Sequence, residues 1–471
     1  MAKLNVERGE RMKGGSMVRS HAAEGLLAEL GELVEERVAQ GGTPGVGYGV
    51  VGDGAAFAAG AGVVGIEEPR GVTADTLFQL CSVTKPMTAA LALGLVEEGL
   101  LGLDEPVAAY LPELALADAS TRDGLTLRHL LAHTSGLAGE WHGDLGGYGD
   151  GEDALARLIG DYAQLTQYAP LGAYWGYCNP GYWLAGRLIE AVTGVGFEAA
   201  MRERLLAPLG MSETLFRSEE TGHREVALPH QGGADGKAAV VPDFSFPRAR
   251  TASGGVLASV RDLLRFTAAA LGTPLAGSES VISESVRASM MRPMVAAEGA
   301  GVYQSLGWQV QVTEAGPLVF HGGAYTGYVS RLILAPTRGF AVALLANSDS
   351  GYQLCRDAQS LLARRILDWQ EPEPIYVEPA AQILDGYAGR FAHPEADHLL
   401  IERSGSGLRI DVVMRDGKIV SGDCKALSDT EFAVVGGPVD GMPVTFLPEG
   451  ADETAPTDLV RVGMRLGRRI S

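Results

Sequence analysis

The sequence lacks any long hydrophobic run, and it contains few cysteines. No apolar stretch approaches the roughly 20 residues that cross a membrane, and the first 20 residues are polar and charged. A secretory signal needs an apolar central segment, so none is expected, and residues 1–21 are predicted to be a disordered leader. The four cysteines (Cys81, Cys178, Cys355 and Cys424) are scattered without a CxxC pair, which predicts a reducing compartment and hence a cytoplasmic protein.

Positive charge is also scarce. Lys and Arg number 38 against 58 Asp and Glu, which gives a formal net charge of -20. Nucleic acid and anionic membranes repel such an acidic chain, so we expect neither as a partner. The 64 glycines and 23 prolines follow no period, which excludes a collagen-like chain and a repeat array. The 471 residues allow two or three domains, and nothing in the composition predicts an oligomeric state.

The strongest chemical signal is the stretch Ser82-Val83-Thr84-Lys85. Reactive side chains three residues apart share one face of a helix, and the apolar run 87–96 predicts that helix. A serine needs a base to become a nucleophile, and a desolvated lysine can serve. Pro86 fits only the first helical turn, so Ser82 is placed at a helix N-terminus, where its N–H faces developing negative charge. The same spacing also arises by chance, with the serine as a simple N-cap.

Two further motifs follow in the chain. Tyr177-Cys178-Asn179 lies in a segment rich in glycine, proline and aromatic residues, and His321-Gly322-Gly323 follows a predicted strand. The histidine either takes part in binding or lines a strand edge. Both glycines fit either interpretation, because glycine lets a ligand approach a strand backbone closely.

In this order the motifs resemble the serine beta-lactamase and penicillin-binding-protein superfamily, and most closely its class C beta-lactamase, DD-peptidase and esterase branch. The likeness covers about residues 22–370. It is carried by Phe78–Lys85 (FQLCSVTK), Leu125–Leu137 (LTLRHLLAHTSGL), Trp175–Gly194 (WGYCNPGYWLAGRLIEAVTG), Ser253–Val256 (SGGV) and His321–Ser348 (HGGAYTGYVSRLILAPTRGFAVALLANS).

The resemblance implies a role for each matching residue. Ser82 would attack a carbonyl carbon, and Lys85 with Tyr177 would accept its proton and pass it to the leaving group. Tyrosine is a poor base at neutral pH, so cationic neighbours such as Lys85 would have to lower the pKa of Tyr177. Asn179 would hydrogen-bond Lys85 and a substrate carbonyl, and the N–H groups of Ser82 and Ala324 would hold the oxyanion.

His321, Gly322, Gly323 and Tyr325 complete the predicted substrate-binding residues. In the resembled branch, class C beta-lactamases carry a lysine at the place of His321, whereas DD-peptidases and several esterases and aminopeptidases carry a histidine. A histidine is mostly neutral at pH 7. The substitution therefore weakens a beta-lactamase assignment and leaves the acyl-transfer chemistry intact.

The sequence thus predicts a serine hydrolase that cleaves a small ester or amide through an acyl-enzyme on Ser82, as an esterase, amidase or aminopeptidase does. One alternative is an acyltransferase that uses the same acyl-enzyme. Another is a DD-peptidase, a penicillin-binding protein or a weak beta-lactamase. A catalytically silent scaffold is disfavoured because the whole motif set is present. The expected partner is a small-molecule ester or amide, with no cofactor and no metal.

The implied fold is α+β: a beta-lactamase/transpeptidase-like antiparallel sheet flanked by helices, in a hydrolase domain over 22–370 with an inserted all-helical subdomain at about 101–251. Patterning in the chain agrees, with a helix over 22–40 and a hairpin over 46–64 that turns at Gly52-Asp53-Gly54. Residues 371–380 (EPEPIYVEPA) predict a stiff linker.

Beyond the linker, residues 381–471 predict a C-terminal small β-barrel-like domain. Tyr387–Phe391 (YAGRF) resembles the opening of the lipocalin-like barrels appended to some members of the superfamily. Such a domain is either a packing and solubility module or a wall over the cleft.

Several other residues attract attention. Cys178 is predicted to be a small buried residue that points away from its neighbours. His129 and His133 have metal-ligand spacing but no HExxH arrangement, so a structural role is expected. The aromatic residues near Tyr177 line an acyl pocket or fill the core; they are Tyr168, Tyr174, Trp175 and Tyr182. Tyr325 and Tyr328 are the preferred pocket candidates.

Overall fold

The computed structural model describes residues 10–11, 21–67, 69–232, 237–242, 244–437, 439–448 and 457–470. Most of the predicted leader, residues 1–21, lies outside these ranges. Within it, Glu10–Arg11 forms a two-residue strand that pairs with Ala55 and Ala56 at the edge of the main sheet.

The strands, in chain order, are β1 (Glu10–Arg11), β2 (Gly45–Gly52), β3 (Ala55–Gly62), β4 (Leu77–Gln79), β5 (His230–Gly232), β6 (Ala238–Val240), β7 (Leu257–Ser259), β8 (Val295–Ala296), β9 (Val302–Gln304), β10 (Gln309–Gln311), β11 (Leu318–Tyr325), β12 (Tyr328–Ala335), β13 (Phe340–Ala346), β14 (Gly389–Ala392), β15 (His398–Ser404), β16 (Gly407–Val413), β17 (Ile419–Ala426), β18 (Glu431–Val435), β19 (Pro443–Leu447), β20 (Leu459–Val462) and β21 (Arg465–Arg469).

The helices are α1 (His21–Ala39), α2 (Thr84–Glu97), α3 (Val107–Tyr110), α4 (Ala119–Gly124), α5 (Leu127–Leu131), α6 (Ala154–Gly160), α7 (Asn179–Thr193), α8 (Phe197–Met201), α9 (Ala207–Leu209), α10 (Thr251–Gly254), α11 (Val260–Ala270), α12 (Glu284–Met291), α13 (Gly351–Leu362) and α14 (Ala381–Tyr387). A 3₁₀ turn, Cys81–Val83, leads directly into α2.

Nine antiparallel strands form the main sheet, in the order β1-β3-β2-β13-β12-β11-β10-β9-β8. The predicted hairpin is confirmed as β2 and β3. Its two turn residues, Asp53 and Gly54, have φ of 51° and 79°, the left-handed geometry that an Asp-Gly turn supplies. Helices α1 and α13 cover one face of the sheet, through side chains such as Leu30 and Leu361. Helix α11 covers the other face, and α2 packs against α7, α10 and α12.

Helix α2 is buried on all sides. Every residue from Thr84 to Leu93 is buried, which explains why the segment is apolar throughout instead of amphipathic. Helices α3 to α9 lie between β4 and β7 in the chain, together with the short hairpin of β5 and β6. The predicted α+β architecture is therefore confirmed, and the 3₁₀ turn before α2 contacts strands β11 and β12 of the sheet.

The C-terminal strands β14 to β21 form a closed barrel in which each strand pairs with the next and β14 pairs with β21. This confirms the predicted β-barrel. Its interior is apolar and centred on aromatic rings: Tyr387 stacks on Phe446 with 3.7 Å between ring centroids, and Phe391 and Phe432 meet Phe446 edge to face.

Two global observations concern membranes and cysteines. In the described ranges, no helix has both the length and the apolar character that a membrane crossing requires. All four cysteines lie in the described ranges, and each is buried as a free thiol.

Candidate active site

Ser82 and Lys85 lie together at the start of α2. Cys81, just before the serine, has φ of 51°, so the chain makes a sharp left-handed turn that sets the serine at the entrance to the helix. The Lys85 Nζ lies 3.0 Å from the Ser82 Oγ. Ser82 is half-buried, whereas Lys85 is fully buried. The structure thus brings a partly accessible hydroxyl within hydrogen-bonding distance of a desolvated amine.

The surroundings of Lys85 favour its neutral form. Its Nζ also donates to the Ser253 carbonyl at 2.9 Å and lies 4.8 Å from the centroid of the Tyr177 ring. Burial holds the pKa of Lys85 well below its usual value, and the charges of Arg465 and Arg250 lower it further. A neutral lysine amine is a competent base for a serine hydroxyl.

Tyr177 shares the Ser82 hydroxyl with Lys85, because its own hydroxyl also hydrogen-bonds Ser82. The expectation that cationic neighbours bring the pKa of Tyr177 below its usual value is wrong. Burial raises the pKa of Tyr177 above its usual value and outweighs the opposing effects of Ser82 and Arg465. Tyr177 therefore keeps its proton at neutral pH and is suited to relay a proton, while Lys85 is suited to accept one.

Asn179 is the first residue of α7 and lies beside the same group. The expected bond from Asn179 to Lys85 is absent: its Nδ2 donates instead to Glu140 at 2.7 Å, and its buried Oδ1 has no partner among the described residues. A buried acceptor without a donor is costly. The amide oxygen is thus available to a substrate N–H.

Strand β11 forms the opposite wall. Gly323 approaches the nucleophile turn so closely that an added Cβ would lie 2.5 Å from the Leu80 carbonyl oxygen and 2.8 Å from the Ser82 nitrogen. Glycine is therefore required at 323, whereas a Cβ at Gly322 would meet only the end of the Arg331 side chain, at 2.9 Å. Nothing in the sequence distinguishes the two glycines, whereas the structure tolerates a side chain less at 323 than at 322.

The Ala324 N–H is directed to the open edge of β11. Strands β11 and β12 are joined by a two-residue turn closed by Tyr325 and Tyr328, and hydrogen-bonded pairs alternate along such a hairpin. The Ala324 N–H therefore points away from β12. On that side β10 pairs with β11 only at 318–320. In the described part of the chain, the Ala324 N–H is thus left without a strand partner on this edge.

His321 lies on the same face of β11 as Gly323. It is buried, its Nδ1 lies 2.7 Å from the Gly322 carbonyl oxygen, and its ring centroid is 6.1 Å from that of Tyr177. Burial, followed by the charge of Lys85, lowers the pKa of His321 to about 3. Since a carbonyl can only accept, Nδ1 carries the proton. His321 is accordingly a neutral group whose Nε2 lone pair is available.

The aromatic candidates divide into residues of the hydrophobic core and residues that line the candidate site. The predicted pocket role of Tyr328 is wrong: it is buried, and its hydroxyl donates to the Ala227 carbonyl. Tyr325 is half-buried against Phe246 and the Arg250 guanidinium, at 5.2 and 4.9 Å between centres, so it belongs to the wall. Three of the other four are core residues: Tyr168, Trp175 and Tyr182. The fourth, Tyr174, is partly buried and donates its hydroxyl to the Pro448 carbonyl.

The remaining sequence candidates have structural places. Cys178 is buried, and its Sγ accepts from the Gly181 N–H as the N-cap of α7. Thr126 is the N-cap of α5, and the His129 ring accepts the Thr126 N–H to complete the capping box. The His133 Nδ1 accepts the Cys178 N–H at 3.0 Å. No group of three potential metal ligands occurs within the described residues.

Sequence reasoning missed three charged residues at the site. Glu140 accepts from Asn179 and lies 3.7 Å from Arg250 and 3.5 Å from Arg465. Arg465 belongs to the barrel, and it donates to the Tyr177 carbonyl. None of the three stands in a motif with Ser82 or Lys85, and no sequence spacing links residue 465 to residue 177. The one available signal was the recognition of an appended barrel, which did not show where the barrel docks.

The sheet, the half-buried Ser82 beside buried Lys85, and the adjoining strand define a serine hydrolase of the beta-lactamase and penicillin-binding-protein class. The Beta-lactamase family model matches residues 30–363, and the chain belongs to this family.

Three relatives illustrate the likeness. Penicillin-binding protein 4 of Amycolatopsis lactamdurans is 34% identical over 348 residues, covering 72% of this chain and 89% of the relative. The crystal structure of SurE has a TM-score of 0.75 at 27% identity, covering 95% of this chain and all of that chain. The structure of SurE with D-Leu has the same TM-score at 25% identity and covers 96% of this chain and all of that chain.

Proposed function

We propose that the protein is a serine acyl hydrolase that cleaves a small ester or amide through a covalent acyl-enzyme on Ser82. The observation that carries the proposal is the 3.0 Å contact between the Ser82 Oγ and the Nζ of a fully buried Lys85. A lysine whose pKa burial has lowered activates an adjacent hydroxyl.

The acylation step follows from the contacts. Ser82 Oγ bonds to the carbonyl carbon while its proton moves to the neutral Lys85 amine. The carbonyl oxygen becomes an anion that the Ser82 and Ala324 N–H groups hold. The carbon–oxygen or carbon–nitrogen bond then breaks, and the proton passes from Lys85 through the Tyr177 hydroxyl to the leaving alcohol or amine.

Deacylation runs the same proton path with water as the nucleophile. Water attacks the acyl carbon, its proton is taken by Lys85, and Ser82 leaves with that proton. His321 stays neutral throughout, so it contributes a hydrogen-bond acceptor and no fixed charge. A free amine that enters instead of water would make the protein an acyltransferase.

The direct test is turnover of p-nitrophenyl butyrate by the wild-type protein and by Ser82→Ala, with circular dichroism to verify the fold. We expect loss of turnover and of labelling by a fluorophosphonate probe in the variant. Equal turnover in both proteins would overturn the proposal. D-Leu and L-Leu p-nitroanilides, compared in the same assay, test whether the D-Leu found with SurE indicates a substrate class here.

The acyltransferase alternative is tested in the same reaction. D-Leu methyl ester is added as the acceptor, and the products are separated by mass spectrometry. N-butyryl-D-Leu ester in place of butyrate would identify transfer to an amine.

A second candidate, penicillin binding, is favoured by the 34% identity to Penicillin-binding protein 4. It predicts covalent labelling of Ser82 by a fluorescent penicillin, and Ser82→Ala is the negative control. Neutral His321 offers no cation to a substrate carboxylate, so we expect labelling to be slow.

We retain a cytoplasmic location as a proposal. It is supported by four buried cysteines that remain free thiols. Fractionation of the host cell, followed by immunoblotting, tests it, and recovery of the protein outside the cytoplasmic fraction would contradict it.

A further inference from the structure

The backbone of Tyr177 is held on both sides by the C-terminal barrel. Its N–H donates to the carbonyl oxygen of Met464 at 2.8 Å, and its own carbonyl accepts from Arg465. Met464 lies in the two-residue turn between β20 and β21, and Arg465 begins β21. One hairpin turn of the barrel thus satisfies both polar backbone groups of a residue that hydrogen-bonds the nucleophile.

The neighbouring amides are held by the hydrolase domain itself. The Gly176 N–H donates to the His133 carbonyl at 3.0 Å, and the Cys178 N–H donates to the His133 Nδ1 at 3.0 Å. The Asn179 N–H donates to the Gly139 carbonyl at 3.0 Å. Of the four consecutive amides from 176 to 179, only that of Tyr177 depends on the barrel.

The hydrolase surface is shaped to receive this hairpin. A Cβ added at Gly139 would lie close to both the Tyr177 carbonyl oxygen and the Arg465 Cδ, 2.7 Å from the latter, and a Cβ added at Gly176 would lie 2.5 Å from the Leu466 Cγ. Both positions leave room for barrel side chains only because they are glycines. The contact is therefore built into both domains.

Carboxylates from both domains orient Arg465. Its side chain is only 8% exposed, its Nε donates to Glu395 of the barrel at 2.7 Å, and its Nη2 lies 3.5 Å from Glu140 of the hydrolase domain. The guanidinium carbon is 5.0 Å from the centroid of the Tyr177 ring. Glu140 in turn accepts from Asn179. A planar guanidinium fixed by two carboxylates has little freedom to move away from the tyrosine.

We propose that Arg465 is a positioning residue for Tyr177, and that the C-terminal barrel is thereby a working part of the active site. This rests on the proposed function, in which Tyr177 relays the proton between Lys85 and the leaving group. The barrel is then more than the packing module or the wall that its sequence suggested.

Arg465 also acts on Lys85 through its charge. The titratable and charged groups that face Lys85 are Cys81 beside it, Tyr177 and Cys178 before α7, Tyr182 on α7, His133 after α5, Glu140, Arg250, His321 on β11 and Arg465. Among the cations, Arg465 contributes most to lowering the pKa of Lys85. Its removal raises that pKa, so a smaller fraction of the base is neutral at pH 7 and the acidic limb of the rate profile moves to higher pH.

The experiment measures kcat and KM for p-nitrophenyl butyrate from pH 5 to 10 in Arg465→Ala, Arg465→Lys and the control Arg469→Ala. Arg469 is a second barrel arginine, whose guanidinium binds the carbonyls of Gly386 and Ala388 within the barrel. We expect Arg465→Ala to lower kcat on the order of 100-fold, with a much smaller change in KM. Its acidic limb should move to higher pH.

Arg465→Lys separates the two effects, because it keeps the charge and loses the planar fork. Its pH profile should match that of the wild type while its kcat stays reduced, and it carries the test if Arg465→Ala fails to fold. The proposal is overturned if the Arg465 variants keep wild-type kcat and pH profile, or if Arg469→Ala loses as much activity. An active protein in which Ser82→Ala has no effect would instead overturn the proposed function, so the two failures are distinguishable.

Discussion

At the scale of the residue, burial of Lys85 suits it to the proposed chemistry and lowers the stability of the fold. Its ammonium form has lost its water and has one carbonyl, that of Ser253, and one hydroxyl as partners. Desolvation penalises the charged form most, which suits the lysine to the role of base in the proposed mechanism. The same desolvation makes Lys85 destabilising for the core. Replacing it with an apolar residue should therefore lower activity and raise stability.

Lys85→Met is expected to abolish turnover and to raise the free energy of unfolding at pH 7 by roughly 0.5–2 kcal/mol. The folded-state pKa of Lys85 is lowered, so the unfolded chain binds the extra proton between that pKa and the usual lysine value. Wild-type stability therefore rises with pH in this window. Urea unfolding of both proteins at pH 7 and pH 9 checks this, and a wild-type advantage at pH 7 would contradict it.

His321 gives a second prediction, on the acid side. Its folded-state pKa is about 3, so below about pH 6.5 the unfolded chain takes up a proton that the folded protein refuses. This costs about 1.4 kcal/mol per pH unit. Between pH 7 and pH 4.5, His321→Gln should lose roughly 2–3 kcal/mol less stability than the wild type. Exposed His223→Gln is the matched control, and equal acid sensitivity in all three proteins would refute the assignment.

At the scale of the element, β11 performs several tasks with adjacent residues. One face presents His321 and Gly323 to the nucleophile turn, and the free edge presents the Ala324 N–H. The strand keeps its place because Ser330 of β12 donates to the Leu80 carbonyl at 2.6 Å. A small shift of this one strand would therefore move the proposed oxyanion donor, the Ala324 N–H, together with His321.

Gly323→Ala is expected to lower kcat by about 10²–10³-fold, because its Cβ would displace β11 from the Ser82 amide. Overpacking should also cost about 1–3 kcal/mol of stability. Gly322→Ala is the matched control, since its Cβ would meet the Arg331 side chain and not the Ser82 turn. Comparable kcat in the two variants would show that the approach of β11 to Ser82 is not needed.

At the scale of the whole molecule, the barrel supplies hydrogen-bond donors to backbone carbonyls of the hydrolase domain. Three arginines of β20 and β21 donate to hydrolase backbone carbonyls: Arg461 to Ala297 at 2.8 Å, Arg465 to Tyr177, and Arg468 to Tyr168 at 3.0 Å. Buried carbonyls left without these donors are costly. The two domains should consequently unfold together.

Arg469→Ala tests this coupling, because it should weaken the barrel by about 1–3 kcal/mol without touching the hydrolase domain. The chain has five tryptophans, and all lie between residues 141 and 369. Tryptophan fluorescence therefore reports on the hydrolase side, and Trp175, whose ring lies 5.2 Å from the guanidinium of barrel Arg461, also reports on the docked face. We expect the fluorescence melting temperature to fall with the barrel mutation. An unchanged fluorescence transition beside an earlier calorimetric one would show independent domains.

The sequence predicted local patterns well and long-range partners poorly. The Asp-Gly hairpin and the Ser-Lys spacing depend on residues close in the chain, and the structure has both. The pKa of Tyr177 and the partner of Asn179 depend on burial and on Glu140, which lies outside every motif. The contact of Arg465 with Tyr177 depends on how the two domains dock. Spacing carries no information on such contacts, because they are set by packing of the complete chain.

The hydrogen bond from Arg465 to Tyr177 also sets an order of events during synthesis. Arg465 follows Lys85 by 380 positions in the chain, and at roughly 5–20 residues per second the ribosome needs about 20–75 s to cover that interval. Through that time the nascent hydrolase domain carries Ser82 and Lys85, but Tyr177 lacks its barrel partners. The hairpin of β20 and β21 is translated long after Ser82 and Lys85, so a chain that stops before it carries the serine and the lysine without the barrel contacts of Tyr177.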